Sequence, residues 1–583
     1  MASSPYRFQA DTQNLRTQCD KRLAAMRAVR TAHEALWLDI RDNFEPDIGI
    51  ALDEGERSDR AARRRDEKIL NTEPRTLLHR LASGLQSGVT NQSQRWFSLI
   101  ALNKGAMERS AVKVWLSKAT DIMSEAMARG NLYTTLDRKY LHMGAFGQGV
   151  SVAVKGDNPG EVHHELIDTG DYWLAENRRG RVDTLIRRIP MNADQMLEEF
   201  GSGWMPENIR SQAAGTAKQA EHNVFNLVRP NDGRPEFADI PKERAFVSVY
   251  WLESSRDHNA GILAVRGYDY NPIVAPRWSV SGSVYGSGCG KAGLGDAVQL
   301  QTMERDKLGI IAQDATPTVL APANMRGQTA LDSYPGGVVW YPDQSDNGPQ
   351  PVRRLYETRQ SLQSVLEGIH DTERRLGRTF YADLFAMMLN ISAQARAMTA
   401  REVSELASEK IALLGPILTR LSTDLLDPLV SIYFAILLAD GAFPPPPQEL
   451  TGIPLGVRYS SALHVEQISA NKMRGLIKVL DVVGMVAKLK PEALDKFDAD
   501  QTIDEVLAAT PDSAAVILDD DAVEKIRAER AERQAAQERM LAMTQAAPGV
   551  GRGVRDLSET KLNNGSALDA VVGAAQQQAG AQQ

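Results

Sequence analysis

The stretch Pro276–Gln313 reads PRWSVSGSVYGSGCGKAGLGDAVQLQTMERDKLGIIAQ. A short extended piece, Arg277 to Val280, leads into a run in which Gly282, Gly286, Gly288, Gly290, Gly293 and Gly295 fall within fourteen residues. After Asp296 no glycine follows until Gly309, and better helix formers take over. A backbone this free, feeding a long helix, predicts a hinge between two bodies, with Gly286, Gly288 and Gly290 at its centre.

The same residues carry a rival reading. Gly288, Gly290 and Gly293 fit G-x-G-x-x-G, with Asp314 about 20 residues on, as where backbone N–H groups meet a pyrophosphate at a helix N-terminus. That would make 286–295 the cofactor loop of a nucleotide-dependent enzyme. Against it, Arg277–Val280 is polar where a central parallel strand is apolar. The next extended piece, Thr318–Ala321, is bracketed by Pro317 and Pro322, as at a sheet edge. A Walker A loop fails too: position 285 is Tyr, and Ala292 follows Lys291 where Ser or Thr would hold Mg²⁺.

Downstream, Val298, Leu300, Met303, Leu308, Ile310 and Ile311 make an incomplete stripe over 296–314, the pattern of a helix with like neighbours on two sides. Prolines 317, 322, 335, 342, 349 and 351 exclude a long helix through 315–352, where short strands are expected at 318–321 and 337–341. A second long helix is expected over 356–381, with Leu362, Leu366, Ile369, Leu376 and Phe380 near one face. At ~1.5 Å per residue it spans roughly 37 Å, so helix, compact insert and helix form a stalk with a small head. Ala382–Leu389 could continue that helix, but Asn390 to Gln394 reads as a break. Thr399 with Glu402 is a capping box opening a helix to about Asp440. Pro416 and Pro428 are expected to kink or break it. A strand at Leu455–Tyr459, helices at 465–489 and 501–509, a charge-alternating helix at 519–545 and a disordered Gly/Ala/Gln-rich tail from 546 complete the chain.

Upstream, helices are expected at 10–44 (Leu15, Leu23, Met26, Val29 or Arg30, Leu36, Trp37, Ile40), 74–90, Ser110–Arg129 (with Val114 and Trp115 in its apolar set) and Tyr133–Gly144. Arg57–Lys68 is read as a solvated charged face, and Arg95–Leu99 as a strand entry with Trp96 in the core. Strands are expected at Gly149–Val154, Val162–Ile167, Thr184–Ile189 and Phe246–Leu252, with a short helix at 192–200 and a polar excursion at 201–222. The class is α+β, mainly α.

The chain has 583 residues, 43% hydrophobic and 24% charged, in the range of an ordinary globular protein of several domains. A net charge of −8 argues against a protein that clamps duplex DNA. Cys19 and Cys289 make neither a disulfide framework nor a metal spacing. The N-terminus has no apolar signal core, and the run Leu429–Ala439 is too short to cross a membrane. His163 and His164 are strand neighbours facing opposite ways, so no metal site is expected. No G-x-S-x-G or H-E-x-x-H motif and no supported Cys–His pair is present, so no catalytic residue is assigned.

Several motifs, in order, resemble the portal, or head-to-tail connector, proteins of short-tailed double-stranded-DNA bacteriophages. They are Leu81-Ala82-Ser83-Gly84-Leu85, Arg95-Trp96-Phe97, Pro276-Arg277-Trp278-Ser279 with Tyr285-Gly286-Ser287-Gly288, and Pro335-Gly336-Gly337-Val338. Met398-Thr399-Ala400-Arg401-Glu402-Val403, Leu414-Gly415-Pro416 and Leu425-Leu426-Asp427-Pro428 follow. The resemblance covers roughly residues 10–510 and implies a ring, expected to be a dodecamer, at one capsid vertex of the virion. It implies a wing over 1–280, hinge and first stem helix over 281–314, clip over 315–355 and second stem helix over 356–381. A tunnel-loop region over 382–398, a kinked wing helix and strand over 399–460, a helical crown over 461–545 and a tail over 546–583 would follow. Implied partners are further copies of the chain, the terminase large subunit, a tail adaptor, the major capsid and scaffolding proteins, and non-specific double-stranded DNA in transit. No membrane and no cofactor is implied, and synthesis is expected in the host cytoplasm. Asn390, Gln394 and Arg396 are the DNA-channel candidates. A plain capsid or scaffolding protein stays open as a third reading.

Overall fold

The computed structural model describes residues 12–48, 59–107, 109–203, 205–215, 219–232, 244–255, 259–327, 336–342, 352–355, 362–388, 414–461 and 463, with short pieces at 527–530, 532–537, 561–562 and 565–566. The chain forms two compact units, Met1–Pro491 and Glu492–Gln583. In the second, 527–530 and 532–537 are helical. Lys561–Leu562 pairs antiparallel with Gly565–Ser566, so this part of the expected disordered tail carries a short hairpin.

The first unit opens with α1 (Thr12–Phe44), whose period buries Leu15, Cys19, Leu23, Met26, Trp37 and Ile40. Of the alternatives at 29 and 30, Arg30 is the buried one. Its guanidinium lies 4.2 Å from the Trp173 ring and donates to the carbonyls of Gly170 and Tyr172. Then come α2 (Asp59–Asp66), α3 (Glu73–Val89), β1 (Phe97–Ala101), α4 (Lys104–Met107), α5 (Ser110–Arg129) and α6 (Leu132–Phe146). The charged run of α2 is not wholly solvated: Arg65 is buried and donates to the Pro46 carbonyl. In α5 the core face holds Val112, Trp115, Leu116, Ala119 and Met123, whereas Val114, expected inside, is half exposed. Trp96 is buried, as expected, with its indole N–H on the Tyr133 hydroxyl.

Beyond α6 the period changes from helix to strand. β2 (Val150–Lys155) pairs with β3 (Val162–Ile167) and with β9 (Ile273–Val274). A five-stranded antiparallel sheet runs in simple order through β4 (Tyr172–Glu176), β5 (Val182–Asn192), β6 (Glu221–Pro230), β7 (Phe246–Leu252) and β8 (Ile262–Tyr268). α7 (Ala193–Phe200), opened by an Asn192–Gln195 capping box, and α8 (Glu207–Ala214) pack beside it. β4, β6 and β8 were not anticipated from the sequence. Arg277–Val280 is not a strand; Arg277 makes only an isolated bridge to Gln148.

The second half begins with α9 (Cys289–Ala315), longer at its start than the pattern beginning at 296 suggests. β10 (Val319–Pro322) is the middle strand of a small sheet, parallel to β11 (Val338–Tyr341) and antiparallel to β12 (Arg353–Arg354). α10 (Leu362–Thr379) runs back along α9 and stops just before Tyr381, whose φ of 55° keeps the helix from continuing. α11 (Ala382–Met388) is therefore a separate short helix, with Leu384 and Phe385 in the core. The Phe385 ring fills the place a Cβ on Gly84 would take, its nearest carbon 2.2 Å from that point.

The last long element among the described residues is α12 (Leu414–Ala439), apolar and long enough by composition to cross a membrane. Leu418, Leu421, Leu425, Leu429, Tyr433 and Ile436 are buried in the main core, so packing accounts for its apolarity. Pro428 neither breaks nor ends the helix. A π-turn at Ser422–Leu426 carries it past the proline, whose missing N–H leaves the Asp424 carbonyl without its α-helical donor. β13 (Leu455–Tyr459) closes on β1, pairing Phe97 with Tyr459 across more than three hundred residues of chain. The expected capping box at Thr399–Glu402 and the expected helices at 465–489 and 501–509 lie outside the described residues.

Candidate functional site

The helix α9 starts in a seam against the end of α6. A Cβ on Gly286 would lie 2.2 Å from the Gly147 carbonyl oxygen, on Gly288 2.5 Å from that of Gly144, and on Gly290 2.3 Å from that of Ala145. Gly147 itself has a φ of 88° and closes α6 as a left-handed cap. None of Gly286, Gly288 and Gly290 has a positive φ. What these three supply is room for backbone to meet backbone, rather than the rotational freedom expected of a hinge. The arrangement also sets the positive start of one helix against the carbonyl-rich end of another, a favourable dipole pairing.

That geometry removes the dinucleotide reading. The glycine backbones that would face a pyrophosphate face α6 carbonyls instead. No strand leads directly into α9, and β10 shares no sheet with β9 or any other strand before the helix, so the described residues form no βαβ unit around it. A cavity of about 570 Å³ does open beside the helix start, lined by Trp278, Ser287, Lys291, Arg378 and Tyr381 among others.

Along its first half α9 is anchored to the body. Phe44 and Phe380 rings meet at 5.4 Å, and Leu376 and Phe380 close over Gly293. A polar joint lies beyond. The Gln301 amide oxygen accepts from the backbone N–H groups of Leu70 and Asn71, and its nitrogen donates to the Asn71 carbonyl. The Asn71 side chain in turn donates to Glu304 of α9 and Glu373 of α10. Burial, with Glu373 nearby, raises the Glu73 carboxyl above its usual range against the pull of Arg80. Sequence reasoning missed this joint: nothing local marks Asn71 or Gln301 as partners some 230 positions apart.

Past Glu304 the helix pair changes character. No residue of α9 after Glu304 is buried, and Leu308 and Ile311 are 51% and 44% exposed. The facing end of α10 likewise exposes Leu362 and Leu366, while Ile369 and Leu376 nearer the body are buried. About eleven residues at ~1.5 Å per residue leave roughly 16 Å of α9 without a core of its own. Arg354 of β12 pairs with Asp314 at the far end, 3.3 Å apart, tying the small sheet to the helix. In that sheet the carbonyls of Thr316 and Pro317 lie 2.5 Å and 2.4 Å from where a Gly336 Cβ would stand, and Gly337 turns with a φ of 77°.

The chemistry-bearing groups elsewhere are dispersed. His164 is buried, stacks on Tyr433 and shares a hydrogen bond with its hydroxyl, while Glu165 pairs with Arg187. Burial lowers the His164 pKa to about 3. Among the described residues no three His, Cys, Asp or Glu side chains gather as metal ligands. Cys19 and Cys289 are buried, and burial pushes both thiols up to about 12. Lys139 of α6 is fully buried with its ammonium 2.5 Å from the Ser151 hydroxyl, and desolvation lowers its pKa to about 7. Asn390, Gln394 and Arg396 lie outside the described residues.

Comparison with known proteins supplies what this geometry lacks. The family described as bacteriophage head to tail connecting protein matches residues 16–515. A portal protein of Salmonella phage epsilon15 is 33% identical over 95% of this chain and 97% of its own length. A probable portal protein of Bordetella phage BPP-1 is 32% identical over 90% of this chain and 93% of its own. Among solved structures, a chain from the virion of a native gene transfer agent particle covers 69% of this chain, and 89% of its own length is matched. Its identity is 9% and its TM-score 0.29, too low to support an argument from fold.

Proposed function

The chain belongs to the bacteriophage head-to-tail connecting protein family, and from that premise we propose that it is a structural portal, a conduit for genome packaging and ejection. The single observation that carries the assembly is the half-exposed apolar row Leu308, Ile311, Leu362 and Leu366 on the paired helices. Helices that cannot bury their own apolar row need like neighbours, and a closed ring supplies the same neighbour to every copy.

In this reading residues 1–280 are the wing, α9 and α10 the stem, and the small sheet β10–β12 the clip. Residues 382–398 are the tunnel-loop region, with its first half the core helix α11 and with Asn390, Gln394 and Arg396 facing DNA. Residues 399–460 form the long wing helix and its strand, 461–545 the crown. The ring is a dodecamer at the portal vertex of the virion. Its clip meets the terminase large subunit during packaging and a tail adaptor afterwards, and its outer face meets capsid and scaffolding proteins. A net charge of −8 suits a wall that double-stranded DNA slides past without being held. The chain does no chemistry; the motor is a partner, and synthesis takes place in the host cytoplasm.

The test is a paired substitution, Leu308→Asp with Ile311→Asp, followed by sedimentation and circular dichroism. The reading expects loss of rings with helix content kept, because neither side chain belongs to the protomer core. Rings that persist unchanged would overturn the stem assignment.

A further inference from the structure

Arg277 sits between three parts of the fold that share no continuous backbone. Its side chain is 1% exposed. One guanidinium nitrogen donates to Glu176 at the end of β4, at 2.9 Å, and to the Val284 carbonyl in the glycine-dense loop, at 3.4 Å. A second donates to the Gly180 carbonyl in the β4–β5 turn, at 2.6 Å. The third, Nε, donates to Asp424 in the π-turn of α12, at 3.2 Å.

The backbone around it is equally tied. Trp278 N–H donates to the Gly147 carbonyl, and Ser287 N–H to the Ser279 carbonyl, so the loop from 277 to 288 is folded back on the start of α9. The π-turn lies just before Pro428 and holds Asp424, the one carboxylate of α12 that reaches Arg277. Burial pushes the Asp424 carboxyl above its usual range even with Arg277 beside it, so the pair is held by geometry at a desolvation cost.

We propose that Arg277 is a coupling pin: it transmits the position of α12 to the loop that launches α9, so that a shift of the long helix is felt at the start of the paired helices. The other anchors of α12 go elsewhere. Tyr433 meets His164 of β3, and Asp440 pairs with Lys155 and accepts from the Gly160 N–H in the β2–β3 hairpin. Among the described residues Arg277 is thus the polar link between α12 and the loop before α9, and it acts as a positioning residue. The inference does not depend on ring formation.

Hydrogen exchange on the full-length protein tests it, with peptides covering 279–290, 419–426 and 155–161. Asp424→Asn is expected to speed exchange about tenfold in both 279–290 and 419–426, with 155–161 unchanged. Asp440→Asn is the control and is expected to act on 155–161 alone. A rise confined to 419–426 in Asp424→Asn, or an equal rise at 279–290 in Asp440→Asn, overturns the proposal. If Asp424→Asn gives no soluble protein, Glu176→Gln replaces it. Faster exchange at both 279–290 and 419–426 then supports the pin, and a rise confined to 174–181 overturns it.

Discussion

Replacing Gly290 with alanine should separate the two uses a glycine-rich start can have. The new Cβ would stand 2.3 Å from the Ala145 carbonyl oxygen and 3.0 Å from its carbonyl carbon. Ordinary contact needs about 3.5 Å, so the end of α6 and the start of α9 must part by about 1 Å. They cannot do so freely: Met143, Ala145 and Phe146 are buried, and Leu78 and Leu81 of α3 close over Gly144. Overpacking of this kind costs roughly 1–3 kcal/mol, and rigid backbone on both sides puts this case at the upper end. Helix propensity returns at most about 1 kcal/mol. The net loss is about 2 kcal/mol, or a fall in Tm of roughly 2 °C if the unit Met1–Pro491 unfolds as one. Gly295, five positions on in the same helix, has nothing within 4 Å of its would-be Cβ. Gly295→Ala should raise Tm by roughly 1 °C through propensity alone. The assay is thermal unfolding of the two variants beside the parent. If Gly290→Ala leaves Tm unchanged or raises it, the close-approach argument is wrong.

Other outcomes follow from buried groups elsewhere in the fold. Lys139 has its pKa lowered by burial from 10.5 to about 7, which corresponds to roughly 5 kcal/mol against the charged form. Between pH 7 and 10.5 the unfolded chain holds this proton and the folded one has released it, so this group makes stability rise with pH. Lys139→Met should remove that rise, read as the difference in Tm between parent and variant across pH 6.5–9.5; parallel profiles would contradict it. Gly84→Ala drives its methyl into the Phe385 ring and should lower Tm by roughly 1–3 °C, with Phe385→Leu in the same chain restoring part of the loss. Calorimetry with NAD(P) or ATP should show no saturable binding, because the glycine backbones face α6 carbonyls; micromolar binding abolished by Gly290→Val would reverse that assignment.

The readable parts of this fold were those written locally. The 3.6-residue period of α1, α3 and α5 and the proline-bounded strands at 319–322 and 338–341 carry their own signals in the side chains. β8, ILAVRGY, carries such a signal in its apolar run, whereas β6, EHNVFNLVRP, begins polar at the end of the 201–222 excursion. What the sequence did not disclose is the non-local pairing. The β1–β13 ladder, the Asn71–Gln301 joint and the Arg277–Asp424 contact each join segments more than a hundred positions apart. Glycine density was visible, but its cause was not: crowding by carbonyls of another helix leaves the same letters as a flexible loop. At Pro428, where a kink or break is expected, one extra residue in the π-turn lets α12 continue.

The central claim is that the half-bare helix pair is completed by copies of itself around a hollow axis. Electron microscopy of the purified full-length protein tests it directly. Closed rings with a central opening wide enough for duplex DNA are the predicted result; monomers at every concentration, or closed shells, would contradict it.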